Sequence, residues 1–368
     1  MTAAVAPHQL PTLTGLRGIA ALMVLLYHIR ASMAGFGPEW LIALFGHGYL
    51  AVDLFFVLSG FVLWWTYGAA FRDQGRAAIA PFIVRRFARI FPLHLAIMSA
   101  MIVFAGVLAL TGRPLEPQYP LADLPAQLLL VQNWGVTDRL AWNDPAWSIS
   151  AEWAAYLLLA LCGTALSRFS TGPWRFALFA LAIAVALGGW FALTGRSSIG
   201  AEIPATGLIR CLAEFVIGVM LCQWWSVVRE RKKLVRATAA LLAATGTMLI
   251  VSGLSQPAGI PLLMAAIVIA ALETSLARRP WLGGRTAQWL GQISYALYLS
   301  HFFLWILFKL LFVRDAAEVS ALLIASFVMI AVAVAHLLHR HIEMPGRRWA
   351  QRTGDGLTTA LLKRRAQG

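Results

Sequence analysis

His28 stands in an apolar run, TGLRGIAALMVLLYHI, eleven residues after Arg17. At 100° and 1.5 Å per residue the two side chains share one helical face, about 16 Å apart. An imidazole is the side chain suited to take a hydroxyl proton near neutral pH, so His28 is a candidate general base. Asp53, in GHGYLAVDLFFVLSGF, and Glu152, in WSISAEW, are candidates to orient and polarise it. Ser148 and Glu152 are four residues apart and share a face, with Trp147 beside them. Ser294, Tyr298 and His301 form an i, i+4, i+7 stripe further along the chain. Arg86 and Arg89, in VRRFARIFP, are three apart, and paired guanidiniums bind phosphate oxygens bidentately. Each group also admits a plainer role. A histidine can bond a neighbouring helix, a carboxylate near a helix N-terminus interacts with the macrodipole, and arginines beside a membrane span can be topology signals.

The elements that must carry these residues are membrane helices. Of 368 residues, 60% are hydrophobic and 12% charged, with a mean hydropathy of +0.73. A soluble domain is nearer half apolar and a quarter charged. Apolar runs long enough to cross a ~30 Å hydrocarbon core fall at 16–33, 49–67, 93–110, 147–166, 174–193, 207–227, 234–251, 260–276, 289–312 and 320–338. The fold expected is all-α and integral to the membrane, with about ten spans, each a helix because it must satisfy its own backbone hydrogen bonds. The expected organisation is an N-terminal segment over 1–15, a membrane domain over 16–342 and a basic tail over 343–368. The first residues have no basic segment and no small-residue cleavage site, so a cleaved signal peptide is not expected.

Basic residues set the orientation. They gather after the second span (Arg72, Arg76, Arg85, Arg86, Arg89), after the sixth (Arg229, Arg231, Lys232, Lys233, Arg236) and after the eighth (Arg278, Arg279, Arg285). The tail adds Arg347, Arg348, Arg352, Lys363, Arg364 and Arg365. Loops of the other parity hold acids such as Asp123, Asp138 and Asp144, so both termini are expected in the cytoplasm. The same asymmetry accounts for the net charge of +14 and leaves little support for a nucleic-acid partner. In the long outer loop, the apolar stretch 124–131 is too short to span and reads as an interfacial or re-entrant segment. Cys162, Cys211 and Cys222 lie in apolar runs without metal-ligand spacing, and read as core thiols. An ionisable group in hydrocarbon costs at least ~2.5–3.5 kcal/mol, so His28, Asp53, Glu152 and His301 mark function, all four in the outer halves of their spans.

Six segments occur in order: TLTGLRGIAALMVLLYHI, GYLAVDLFFVLSGFVL, VRRFARIFPLHL, WSISAEWAAYLL, ISYALYLSHF and IEMPGRRW. Together they resemble the acyltransferase-3 family of membrane O-acyltransferases over nearly the whole chain. The resemblance implies a ten-helix domain in a cell membrane, here a bacterial inner membrane. It implies transfer of an acyl group from cytosolic acyl-CoA, usually acetyl-CoA, to an acceptor hydroxyl. It assigns Arg17 and His28 to the family's arginine–histidine pair, Arg86 and Arg89 to its paired arginines, and Trp147, Ser148 and Glu152 to its Trp-Ser-x-x-x-Glu motif. The acid is followed by WAAY where relatives often carry a second acid or more aromatics, which bears on the acceptor pocket. About thirty residues follow the last span, so a stand-alone membrane domain without the fused hydrolase-like domain is expected.

The resulting expectation is a two-ended site. Arg17, Arg86 and Arg89 would hold CoA phosphates; His28, Asp53, Glu152 and His301 would meet a glycan or lipid-linked sugar, with Trp147, Ser148 and Tyr298 in support. Direct transfer is expected ahead of an acyl-histidine relay. No metal is expected, because the histidines lack compact ligand spacing. The competing readings are a transporter or flippase of lipid-linked glycans, and an acyltransferase for a small secondary metabolite.

Overall fold

A computed structural model describes residues 10–168, 174–277, 279–313, 319–353 and 356. The first nine residues, Arg278, and the tail residues Lys363, Arg364 and Arg365 lie outside the described residues. Among those described, the elements are helical, with no strand. The helices are α1 (Pro11–Ile29), α2 (Glu39–Gly46), α3 (Ala51–Gln74), α4 (Ile79–Leu110), α5 (Leu124–Leu129), α6 (Ala146–Leu166), α7 (Arg175–Leu193), α8 (Ile203–Val228), α9 (Lys232–Val251), α10 (Gln256–Ser275), α11 (Arg285–Phe312) and α12 (Ala321–Leu338). All but α2 and α5 have at least 18 residues, about 27 Å or more of helix. Each expected span falls on one of these ten. Among the described residues, nine continuous helical segments are long and apolar enough to cross a bilayer, and the one from Glu39 to Leu110 contains both α3 and α4. The protein is an all-α integral membrane protein.

With lipid on one side and protein on the other, membrane helices gain little from hydrophobic contrast, and small residues let them approach closely enough to pack. α1 and α11 cross at Gly18 and Gly291, where a methyl group on Gly291 would overlap the Thr14 carbonyl. α3 and α8 cross at Gly60 and Gly218, where a methyl group on Gly218 would overlap the Val57 carbonyl. These two crossings build the site, because α1 and α11 carry His28 and His301, and α3 and α8 carry Asp53 and Arg210.

The loop between α4 and α6 folds back into the bundle. Nε2 of the buried His94, on α4, donates to the Gln127 carbonyl at 2.8 Å. Asn133 donates to the Ile203 carbonyl at 3.0 Å and the Trp134 indole donates to the Ser150 carbonyl at 2.9 Å. The stretch 124–131 therefore has the short helical, inserted form of a re-entrant segment. α12 runs through a π-turn, His339–Glu343, into further helix, and Glu343 is 1% exposed against α4. The segment from 343 thus continues the helix of α12, with the Glu343 carboxylate paired to Arg89.

The basic loops share one end of the bundle. The Thr12 hydroxyl donates to the Trp281 carbonyl at 2.7 Å, and Arg236 pairs with Glu273 at 2.7 Å, joining the start of α1, the α10–α11 loop and the start of α9. A topology reporter fused after Lys233 should report the cytoplasm, and one fused near Trp134 the opposite side. The reverse pattern would invert every statement below about which substrate enters from which side.

Candidate active site

Two of the cavities among the described residues hold the candidate residues. The first is lined by Arg17 of α1, Arg86 and Arg89 of α4, Ser59 of α3 and Glu152 and Tyr156 of α6. The second is lined by His28, Arg30, Tyr49, Asp144, Trp147 and Arg210. Val52 and Tyr298 face both, and form the wall between them.

In the first cavity the arginines are held by aromatic rings and one carboxylate. Arg86 donates to the Tyr67 hydroxyl at 3.0 Å and stacks 5.2 Å over that ring. Arg89 lies 4.9 Å over Tyr295 and pairs with Glu343. Glu343 also accepts from His339 Nδ1 at 3.0 Å and lies 3.7 Å from Arg347. Glu343 and Glu152 thus stand against Arg17, Arg86, Arg89 and Arg347, which leaves the region electropositive. Arg17 has no carboxylate within ion-pair distance among the described residues. The sequence analysis gave Glu343 no role beyond opening the basic tail; its signal was an acid inside the segment IEMPGRRW.

Glu152 belongs with the arginines and not with His28, which corrects the expected outward grouping. α6 starts at the second cavity, and Glu152 lies about 9 Å further along it than Ala146. There it accepts a hydrogen bond from Ser59, whose hydroxyl is also 3.2 Å from the Tyr156 hydroxyl. Ser148, a turn earlier, sits at the wall, 2.6 Å from the Tyr298 hydroxyl. Trp147 packs edge-on against Phe56 and carries the Arg210 guanidinium 5.5 Å over its ring.

Asp53 does not reach His28 either. Both of its oxygens take hydrogen bonds from Arg210, Nε at 2.5 Å and Nη2 at 2.6 Å, and the two side chains are 0% and 1% exposed. The sequence reading passed over Arg210 and over Glu214, which is buried one turn further along α8 with neither oxygen hydrogen-bonded among the described residues. The signal was available: a charged residue within an apolar span demands a partner, and the run IPATGLIRCLAEF holds two.

The structure brings His28 and His301 together instead. His28 Nδ1 lies 2.8 Å from the Val24 carbonyl, and His301 Nδ1 lies 3.1 Å from the Leu297 carbonyl. A carbonyl only accepts, so each Nδ1 carries a hydrogen. His301 Nε2, 3.2 Å from His28 Nδ1, is then a second acceptor for the His28 N–H. By elimination the unprotonated nitrogen of His28 is Nε2, on a ring that lines the second cavity. The tautomer needed by a general base is imposed by Val24 and His301, the part that Asp53 or Glu152 was expected to play. Among the described residues, no three His, Cys, Asp or Glu side chains come together as a metal site.

A cavity lined by three arginines and a second lined by His28 thus meet at a wall of Val52 and Tyr298 inside a bundle of membrane helices. The chain belongs to the acyltransferase-3 family: residues 10–338 match its acyltransferase domain. It is similar to Acyltransferase MdmB of Streptomyces mycarofaciens, at 31% identity over 92% of this chain and 91% of that protein. It is also similar to Protein 2 in picA locus of Rhizobium radiobacter, at 34% identity over 40% of this chain and 78% of that protein. To O-acetyltransferase OatA of Staphylococcus aureus it is 27% identical over 42% of this chain and 25% of that protein. No solved structure matches. The protein is a multi-pass membrane acyltransferase.

Proposed function

We propose that the protein is an O-acyltransferase of a bacterial inner membrane that carries an acyl group, acetyl by preference, from cytosolic acyl-CoA to a hydroxyl of a glycan such as exopolysaccharide or O-antigen. The observation that carries this reading is the pair of cavities meeting at Val52 and Tyr298, three arginines lining one and His28 the other. The arginine cavity suits a phosphorylated donor, since guanidiniums on fixed ring faces bind phosphate oxygens with little loss of freedom. The second cavity, with the rings of Tyr49 and Trp147 among polar groups, suits a sugar. The similarity to OatA, an O-acetyltransferase, supports transfer to oxygen.

The thioester carbonyl would reach past Tyr298 toward His28. His28 Nε2 takes the acceptor hydroxyl proton as that oxygen bonds to the carbonyl carbon. The carbon–sulfur bond then breaks, and the thiolate takes the proton back from the imidazolium, so no net proton is gained or lost. His28 Nδ1–H keeps its bond to the Val24 carbonyl throughout, which holds the ring against rotation as its charge changes. The Ser148–Tyr298 hydroxyl pair stands at the wall, where the carbonyl oxygen gains charge. A transporter of lipid-linked glycans would share the use of an arginine cavity for the lipid phosphate but would not need an imidazole of fixed tautomer.

The donor half is tested by binding. Arg86→Ala and Arg89→Ala should each weaken acetyl-CoA binding roughly 10- to 100-fold, because a hydrogen bond to a charged group contributes ~1.5–3 kcal/mol. Lysine at either position should rescue only in part, being a point charge. Normal CoA affinity in both well-folded alanine variants would reduce these arginines to topology signals. The acceptor would follow from mass spectrometry of surface glycans in a deletion strain and its complemented parent.

A further inference from the structure

We infer that Asp144 is the residue that positions the acceptor in the second cavity, its carboxylate accepting hydrogen bonds from the hydroxyls of the bound sugar. This rests on the glycan reading above. Asp144 sits in the turn before α6, and that turn is pinned on both sides. Asn143 donates to the Leu299 carbonyl at 3.0 Å, and the Pro145 carbonyl accepts from the Ser148 hydroxyl at 3.1 Å. The Asp144 carbonyl takes the Trp147 N–H at 3.3 Å. Its backbone is therefore held, while its carboxylate makes no hydrogen bond or ion pair among the described residues and lines the same cavity as His28.

The other charged groups facing that cavity already have partners. Arg210 is committed to Asp53, and Arg30 lies 4.0 Å over the Tyr27 ring and donates to the Tyr27 carbonyl. His28 bonds the Val24 carbonyl, and the Tyr298 hydroxyl is paired with Ser148. Tyr49 accepts from Gln256 at 3.1 Å. An unpaired carboxylate in a half-buried cavity is a cost that a ligand with hydroxyl donors can offset. Burial raises the Asp144 carboxyl from 3.8 to about 6. The ionised form is the better acceptor, so sugar binding should strengthen as pH rises through that value.

The test measures equilibrium binding of the non-acylated oligosaccharide released from the deletion strain to the full-length protein in lipid nanodiscs. His28→Gln is the background, which removes the titration of His28 from the curve. Between pH 5 and pH 7.5 the dissociation constant should fall about tenfold, as one group titrating near 6 requires. Adding Asp144→Asn should flatten that dependence and leave affinity at the weak, low-pH level. Asp144→Glu should preserve it, and Asp144→Ser should flatten it again, which keeps the inference testable if the asparagine variant folds poorly. An unchanged pH dependence in Asp144→Asn or Asp144→Ser overturns the role of Asp144 and leaves the proposed function standing. Failure of the wild-type protein to bind the oligosaccharide at any pH removes the glycan reading and this inference with it.

Discussion

His28→Gln should bind acetyl-CoA with nearly wild-type affinity and transfer no detectable acetyl group. Glutamine keeps much of the size of histidine and can still donate to the Val24 carbonyl, but its amide cannot take a proton at neutral pH. Loss of a positioned general base costs about 10²–10⁴-fold in rate. The arginine cavity should be indifferent to the change, since Arg17 lies about 16 Å from His28 along α1 and the two side chains line different cavities. Stability has to be measured in parallel, because an unpaired buried polar group costs ~1–3 kcal/mol and lost folding would imitate lost chemistry. His301→Gln separates the two histidines: with Nε2 gone as an acceptor, His28 retains Val24, so activity should fall without disappearing. Near-normal turnover in a folded His28→Gln protein would make His28 a packing residue and turn attention to Glu152, the carboxylate on the donor side of the wall.

Asp53→Ala should lower the thermal stability and the yield of folded protein in the membrane, and a second substitution should restore both. The single change strands the Arg210 guanidinium in the bundle interior, and breaking one side of a buried pair costs about 3–5 kcal/mol. That is a large part of an ordinary folding margin of about 5–15 kcal/mol. Glu214, one turn along α8 beside the Asp53–Arg210 pair, is placed to take over part of the guanidinium, which puts the expected loss at the lower end of that range. Replacing the pair together, Asp53→Leu with Arg210→Met, removes both charges and should recover folding, since apolar replacements of buried pairs are often neutral or stabilising. The recovered protein should keep a kcat within about tenfold of wild type and show a weaker acceptor KM, because Arg210 lines the second cavity. If the folded double variant is as inactive as His28→Gln, the Asp53–Arg210 pair belongs to the reacting centre and does more than join α3 to α8.

Much of this molecule was legible in the order of its residues. The ten spans could be marked because a backbone in hydrocarbon has one local solution, a helix, and because apolar length is a property of the run itself. His28 and the arginines could be singled out for a related reason: a polar group in an apolar run is costly wherever the helix packs. Partnership is another matter, since it depends on which helix faces which. Asp53 and Glu152 looked equally available to His28, yet one is bound by Arg210, 157 positions away, and the other faces the arginines beside Ser59, 93 positions away. Those choices are made by the glycine crossings of α1 with α11 and of α3 with α8, where the missing Cβ atoms set depth and rotation to within a turn. The same contacts seat His301 against His28 and choose the tautomer that leaves Nε2 free, while Gly346, packed against Pro92 of α4, brings Glu343 to Arg89. Hydropathy acts along one chain segment and is read locally; the ion pairs and the histidine pair exist only once distant helices touch.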